Sequence, residues 1–331
     1  MKKRCTFLLA VVLTAGLFTA CGGQEGERQT GASDQMEQES RDTGSQQDGF
    51  DENGSQQEGK SEQTVTAGEG TASLNGGEAE ITWSLEGDTM TISGSGVIGT
   101  AQHDEWAYFA DQVQNIVIEP GITEIGDDVF YEFATVHVTI PDGVTRIGHR
   151  AFYGNSNLKA IELPDSVTRI GQEAFSYTGL ESIEIPDSVT ELRGSAFAGC
   201  KSLTDVVLPQ NITGIESLSF MLCESLTAIT IPEGVTGIGD RAFSRCGGLS
   251  DIILPSTLQT IDTEAFRKTG INSVTLPASL IYVGPRAFDG CDNLTDVYYG
   301  GSEEEWKAIQ MEGENGPLLG ATIHYNSTGP Q

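Results

Sequence analysis

The chain has 331 residues, with 48 acidic and 18 basic side chains and a formal net charge of −30. Phosphate backbones are held by Lys and Arg, so this balance excludes nucleic acid as a partner. Hydrophobic residues make up 37% and glycine contributes 41 positions, which excludes one large close-packed core and favours a disordered stretch joined to an elongated, turn-rich fold.

Lys2, Lys3 and Arg4 precede an uncharged run from Thr6 to Ala20. Such a run reaches roughly 22 Å as helix, short of a ~30 Å hydrocarbon core, so residues 1–20 read as a signal segment rather than a span. The end of that run, Leu17-Phe18-Thr19-Ala20-Cys21, resembles a bacterial lipobox, with Phe18 where Leu is usual. The resemblance implies export, lipid attachment at Cys21, and anchoring to the cell membrane with the rest of the chain on the outer surface. An ordinary secretory segment ending at a cysteine is the alternative. Residues 21–66 form an acidic linker, with eleven acids between Gly22 and Thr66 against Arg28, Arg41 and Lys60 and almost no apolar side chain. A segment of this kind cannot bury enough surface to offset ordering entropy. As a flexible coil it would span on the order of 37 Å, as a stalk or as a mere spacer.

Residues 67–112 are expected to form an N-terminal cap. Ile81, Trp83 and Leu85 alternate with Thr82 and Ser84, and Glu86-Gly87-Asp88 leads into Met90-Thr91-Ile92, the pattern of a β-hairpin. Asp104–Phe109, with Trp106, Tyr108 and Phe109, is placed to plug the structure that follows. Exposed aromatics also stack on sugars, so a carbohydrate-binding or enzymatic module in this segment is a competing reading.

From residue 113 to 300 a period governs the chain. Phe130, Phe152, Phe175, Phe197, Phe220, Phe243, Phe266 and Phe288 recur at intervals of 22 or 23 residues, with Pro141, Pro164, Pro186, Pro209, Pro232, Pro255 and Pro277 in step. One unit reads Leu226-x-x-Ile229-x-Ile231-Pro232-x-x-Val235-x-x-Ile238-Gly239-x-x-Ala242-Phe243-x-x-Cys246. Ile229 and Ile231 alternate with polar or small neighbours, a short strand with one face inward. Pro232 ends it, Val235 and Ile238 send two further side chains inward, Gly239 allows a turn, and Phe243 returns on the opposite side. One coil cannot bury this set, whereas stacked coils cover one another. Nine strand segments, Ile116–Ile118 to Val297–Tyr299, predict a parallel sheet roughly 38 Å long. Residues 301–331 should form a C-terminal cap and tail. Ser302-Glu303-Glu304-Glu305 is a capping box for a short helix carrying Trp306 and Ile309, and Ala321–Tyr325 is a candidate edge strand.

The repeat unit is similar to the BspA-type leucine-rich repeat over residues 113–300. The resemblance implies a β-rich solenoid, a right-handed coil with a parallel sheet on one face. It also implies a bacterial surface protein or lipoprotein acting in adhesion to host or neighbouring cells. The repeat residues themselves are structural and name no ligand.

Candidate chemistry is sparse. Cys200, Cys223, Cys246 and Cys291 each follow a repeat phenylalanine by three residues, and Asn155 holds the same slot, which predicts a buried ladder of free thiols. Adjacent-coil disulfides and zinc are the alternatives, though zinc sites use ligands paired closely in sequence. His103, His137, His149 and His324 are scattered, and no nucleophile elbow or phosphate-cradling glycine loop is present. No catalytic residue, metal or cofactor is assigned, and the acidic surface is expected to be solvated.

There remain the outward slots of the sheet. They pair as Asn115/Val117, His137/Thr139, Ala160/Glu162, Ser182/Glu184, Asp205/Val207, Ala228/Thr230, Asp251/Ile253, Ser273/Thr275 and Asp296/Tyr298. Glu162, Glu184, Asp205, Val207, Thr230, Asp251, Ile253, Thr275, Asp296 and Tyr298 form the candidate binding face, because short side chains on a solenoid sheet leave room for a partner. Residues 67–331 carry 37 acids against twelve bases, and none of the bases precedes Arg146. A monomer that engages an extracellular protein or glycan with basic patches is expected, with membrane contact only through the anchor at Cys21. An envelope scaffold organising other secreted proteins is the alternative.

Overall fold

The computed structural model describes residues 68–73 and 80–329; the signal segment, Cys21 and the acidic linker lie outside them. The repeats form a parallel β-solenoid of about ten turns. A coil typically has a face strand, a flank strand and a tight double turn. Face strands run from Asn115–Ile118 through Ser182–Glu184 and Asp251–Ile253 to Asp296–Tyr299 and Thr322–Tyr325. Flank strands run from Gly96–Ile98 through Arg169–Ile170 and Gly237–Ile238 to Gln310–Met311. Register repeats coil by coil: Ile229 stands beside Ile252, and Ile238 beside Ile215 and Ile261.

The flank ladder is a finding beyond the sequence reading, which placed only inward side chains at Val235 and Ile238. Gly239 also acts differently from its expected role. It does not adopt positive φ; a Cβ there would sit 2.7 Å from the Ser217 nitrogen of the preceding coil. The requirement is close approach of two backbones. At Gly171 the corresponding Cβ would meet the Gly148 carbonyl carbon at 2.5 Å.

The turn belongs to other residues. Arg241 and Arg245 have φ of 53° and 64°, and the equivalent Glu173 and Tyr177 both have 57°. Left-handed backbone is costly for a side-chain-bearing residue, so the surroundings must enforce it. They do so with a third ladder: Arg241, Phe243 and Arg245 donate their N–H groups to Thr263, Ala265 and Arg267 of the next coil at 2.9, 2.8 and 2.7 Å. Inside this turn the phenylalanines are fully buried and stacked. Phe175, Phe197, Phe220, Phe243 and Phe266 lie 5.4–5.6 Å apart, ring to ring, within 7° of parallel.

One expected strand is missing. Residues 160–162 join no sheet, and the face ladder, expected to be continuous, is interrupted between His137–Thr139 and Ser182–Glu184, between Asp205–Val207 and Ala228–Thr230, and between Asp251–Ile253 and Ser273–Leu276. At the first of these breaks Glu162 and Glu184 occupy the same outward slot of adjacent coils, where like charges oppose pairing; the other two breaks have no such pair.

At the N-terminal end, Glu80–Glu86 and Thr89–Gly94 form the expected hairpin, with Gly87 at φ 63°. It is extended by Gly68–Ser73 on one side and joined in parallel to Asn115–Ile118 on the other. Trp106 is fully buried and stacks on Phe130 at 5.7 Å. Tyr108, expected in the same plug, is 83% exposed: it lies in the single turn Ala107–Phe109, where Phe109 rather than Tyr108 packs on Trp83. At the other end, Ser302 and Glu305 make the capping box of helix Glu303–Ala308, with Trp306 against Tyr299. Thr322–Tyr325 then pairs in parallel with Asp296–Tyr299.

Phe220→Ala should cost about 3–5 kcal/mol in urea unfolding, because it removes a ring stacked on both sides. Gly171→Ala should cost about 2 kcal/mol or more by forcing two coils apart. Gly247→Ala, where nothing lies within 4 Å, should stay within about 0.5 kcal/mol of the parent.

Candidate binding face

The face strands present their outward side chains on one surface, as the alternation requires. Glu162, Glu184, Asp205, Val207, Thr230, Asp251 and Ile253 are exposed; Thr275, Asp296 and Tyr298 are half-buried. Val207 and Ile253 are 54% and 60% exposed, large values for side chains on a regular sheet.

Beside residues 160–162, where the first break in the ladder falls, the surface opens into a cleft of about 850 Å³. Glu162, Glu184 and Val207 form part of its wall, Leu163, Pro186 and Leu208 line it with apolar surface, and Asp165 and Asp187 stand at its rim. These last two carboxylates escaped the sequence reading. The signal was present: both directly follow a repeat proline, on the turn that ends the face strand.

Charge is unevenly compensated. Arg150 pairs with Glu173 at 2.7 Å, Arg169 with Glu191 at 2.6 Å, Arg241 with Glu264 at 2.9 Å and Arg267 with Asp289 at 3.1 Å, each joining one coil to the next. The hydrogen bond from Arg169 holds the Glu191 carboxyl below its ordinary range. Among the described residues no ion pair involves Glu162, Glu184, Asp205 or Asp251. Asp296 differs, since His324 lies 2.8 Å from it and Thr295 donates to it at 2.8 Å. Those bonds, His324 first, hold its carboxyl below the usual value. Tyr298 stacks on the same His324 ring at 4.7 Å.

A second cleft of about 700 Å³ lies on the flank, around Arg193 and Glu216. These two residues replace the close-approach glycine of their coils, and the flank ladder is broken between Glu191–Leu192 and Gly214–Ile215. Glu216 closes the gap by accepting from the Gly194 N–H at 2.8 Å and facing Arg193 at 3.6 Å.

The cysteine slot is a hydrogen-bonding position. Cys200, Cys223, Cys246 and Cys291 are buried, free thiols whose Sγ atoms donate to the carbonyls of Phe175, Phe197, Phe220 and Phe266 in the preceding coil at 3.0–3.2 Å. Asn155 does the same with its Nδ2 on Phe130 at 2.7 Å. Burial pushes the Cys200 thiol up to about 11 and the Cys246 thiol up to about 12. Among the described residues no group of three or more His, Cys, Asp or Glu is arranged to hold a metal ion, and no helix is long and apolar enough to cross a membrane.

A parallel β-solenoid whose repeats are spent on packing, with a solvated sheet face left open, is a repeat scaffold. The model of the BspA type leucine rich repeat region matches in six copies over residues 104–204 and 191–308, and the chain belongs to that family. Among solved structures, a leucine-rich repeat protein from Bacteroides ovatus is 27% identical with a TM-score of 0.61, over 75% of this chain and 70% of that one. One from Eubacterium ventriosum is 21% identical with a TM-score of 0.48, over 72% and 73% of the two chains. The leucine rich repeat protein of T. pallidum is 23% identical with a TM-score of 0.45, over 73% and 92%. Comparison with curated proteins gives no match.

The thiols yield a direct test. In the folded protein at pH 8, groups raised to about 11 and about 12 are ionised to the order of one part in a thousand or less, and it is the thiolate that reacts. Peptide mapping after iodoacetamide should find Cys200, Cys223, Cys246 and Cys291 unmodified until urea unfolds the chain.

Proposed function

We propose that the folded part is a non-enzymatic binding module, exported and tethered through a lipid on Cys21. Its sheet face takes a partner on host or neighbouring cells. The observation that carries the reading is the separation of charge: the arginines are bound to carboxylates between coils, while Glu162, Glu184, Asp205 and Asp251 on the face are left without a cationic partner. Carboxylates without a counter-charge on the stacked coils are preorganised for a cationic surface and would steer its approach at low salt. Family membership supports a repeat-based binding role. The cleft beside Glu162 and Glu184, about 850 Å³, gives the face a recess large enough to seat a side chain from a partner.

Two experiments test this. Purified full-length protein should bind cells or matrix saturably, and Glu162→Ala with Glu184→Ala should weaken that binding by about ten-fold while leaving the unfolding midpoint unchanged. Binding indifferent to these changes would sink the sheet-face reading. Recovery of endogenous envelope proteins alone in a pull-down would favour a scaffold. Cys21→Ser should move the protein from the membrane fraction to the soluble one.

A further inference from the structure

The outward slots of the sheet carry a second period. In successive coils the first and second slots read Asp205/Val207, Ala228/Thr230, Asp251/Ile253, Ser273/Thr275 and Asp296/Tyr298. A row with one carboxylate and one large apolar side chain alternates with a row of small side chains. The packing repeat is one coil; this repeat is two. It is not required by the fold, because the inward partners Val206, Ile229, Ile252, Val274 and Val297 show no such alternation.

The geometry sets the spacing. Ala228–Thr230 pairs in register with Asp251–Ile253, and Ser273–Leu276 with Asp296–Tyr299, while the strands of the other two intervals lie side by side without a ladder. At about 4.8 Å per coil the Asp/apolar rows recur about every 9.6 Å, and Asp205 to Asp296 spans about 19 Å. The rows project and the coils between them are low: Val207 and Ile253 are 54% and 60% exposed, whereas Ala228 and Ser273 offer little beyond the backbone. The result is a washboard with an acidic and an apolar lip on alternate ridges.

A partner that reads all three rows must present a cationic side chain on one side about every 9.6 Å. Polyproline II has three residues per turn at 3.1 Å each, a repeat of about 9.3 Å, and falls only about 0.6 Å out of step across three rows. An α-helix repeats at 5.4 Å, so two turns reach about 10.8 Å and the mismatch grows to about 2.4 Å. A β-strand covers the distance in three residues but turns every third side chain to the opposite face. Resting on the sheet-face reading above, we propose that the stretch from Asp205 to Tyr298 binds a polypeptide in polyproline II conformation with a Lys or Arg at every third position. The cations meet Asp205, Asp251 and Asp296, and the intervening proline or aliphatic surface lies against Val207, Ile253 and Tyr298. The Asp296 site is the weakest of the three, since His324 already contacts its carboxylate at 2.8 Å.

The test is fluorescence anisotropy on the purified full chain at about 150 mM salt, where exposed charges more than about 8 Å apart are screened. The probes are labelled (Pro-Pro-Lys)5, a peptide of the same composition with its lysines grouped at one end, and (Pro-Pro-Glu)5. The spaced lysine peptide should bind saturably, the grouped one about ten-fold more weakly, and the glutamate peptide not at all. Asp205→Asn with Asp251→Asn should weaken the spaced peptide about ten-fold, and Ala228→Trp, which fills the trough, should do the same, with circular dichroism unchanged for both. A linear neutral glucan should not compete. Equal affinity for the two lysine arrangements, indifference to the Asp substitutions, glucan competition, or no binding would each overturn the inference. If the peptides fail while cell binding still depends on Glu162 and Glu184, this inference falls and the sheet-face reading stands. If cell binding ignores both sets of carboxylates, both fall.

Discussion

Everything in this solenoid follows from how closely one coil must approach the next. Three backbone ladders and one column of rings share that separation. The turn ladder and ring column hold it even where a face or flank ladder is broken: Phe197 still stacks on Phe220 at 5.6 Å and Phe152 on Phe175 at 5.5 Å. The close approach is why Gly148, Gly171, Gly239 and Gly284 stand where they do: a Cβ at each would lie within 2.8 Å of neighbouring backbone. The strain of left-handed backbone at Glu173, Arg241 and Glu264 is tolerated for the same reason, since relaxing one turn would cost the hydrogen bonds to the coil beside it. At Arg193 and Glu216, where two adjacent coils both lack the glycine, the flank ladder opens and a cleft appears; at Asp262, a single replacement between glycine-bearing coils, the ladder is continuous.

The charge pattern is the counterpart of this packing. Ion pairs between exposed groups are individually weak, but here they recur at fixed slots between coils. Glu264 is nearly buried among Arg241, Arg267 and Arg286 at 2.9, 3.9 and 3.6 Å. The basic residues are thereby used to relieve repulsion along an acidic stack. Among the described residues Glu162, Glu184, Asp205 and Asp251 on the sheet face receive none of that relief, whereas Asp296 has His324 beside it at 2.8 Å.

The period of phenylalanine and proline made the coil, its face strand and its inward residues legible before any coordinates, because a 23-residue unit with one apolar face has a single way to hide it. Three things were not legible. The turn ladder depends on left-handed residues that are mostly Arg, Glu, Tyr, Leu or Lys, types that carry no turn signal, with Gly only at Gly154, Gly199 and Gly290; the neighbouring coil rather than local preference imposes the conformation. The flank ladder is two residues per coil, too short for an alternating pattern. The interruption at residues 160–162 coincides with two glutamates in one slot of adjacent coils, a relation visible only after the repeats are stacked in register, and the two later interruptions have no counterpart in the outward residues. On the candidate face, the outward residues followed directly from strand alternation, whereas Asp165 and Asp187 joined the cleft through the turn after each proline.

The hydrogen bonds of the face, flank and turn ladders all lie between coils and along the stacking direction. Tension applied to the two ends of the stack therefore loads every bond of a coil interface at once, and the fully buried phenylalanines must part in the same event. Such an interface resists as a unit and gives way as a unit. Extension would proceed in discrete steps, each releasing one coil of 22 or 23 residues.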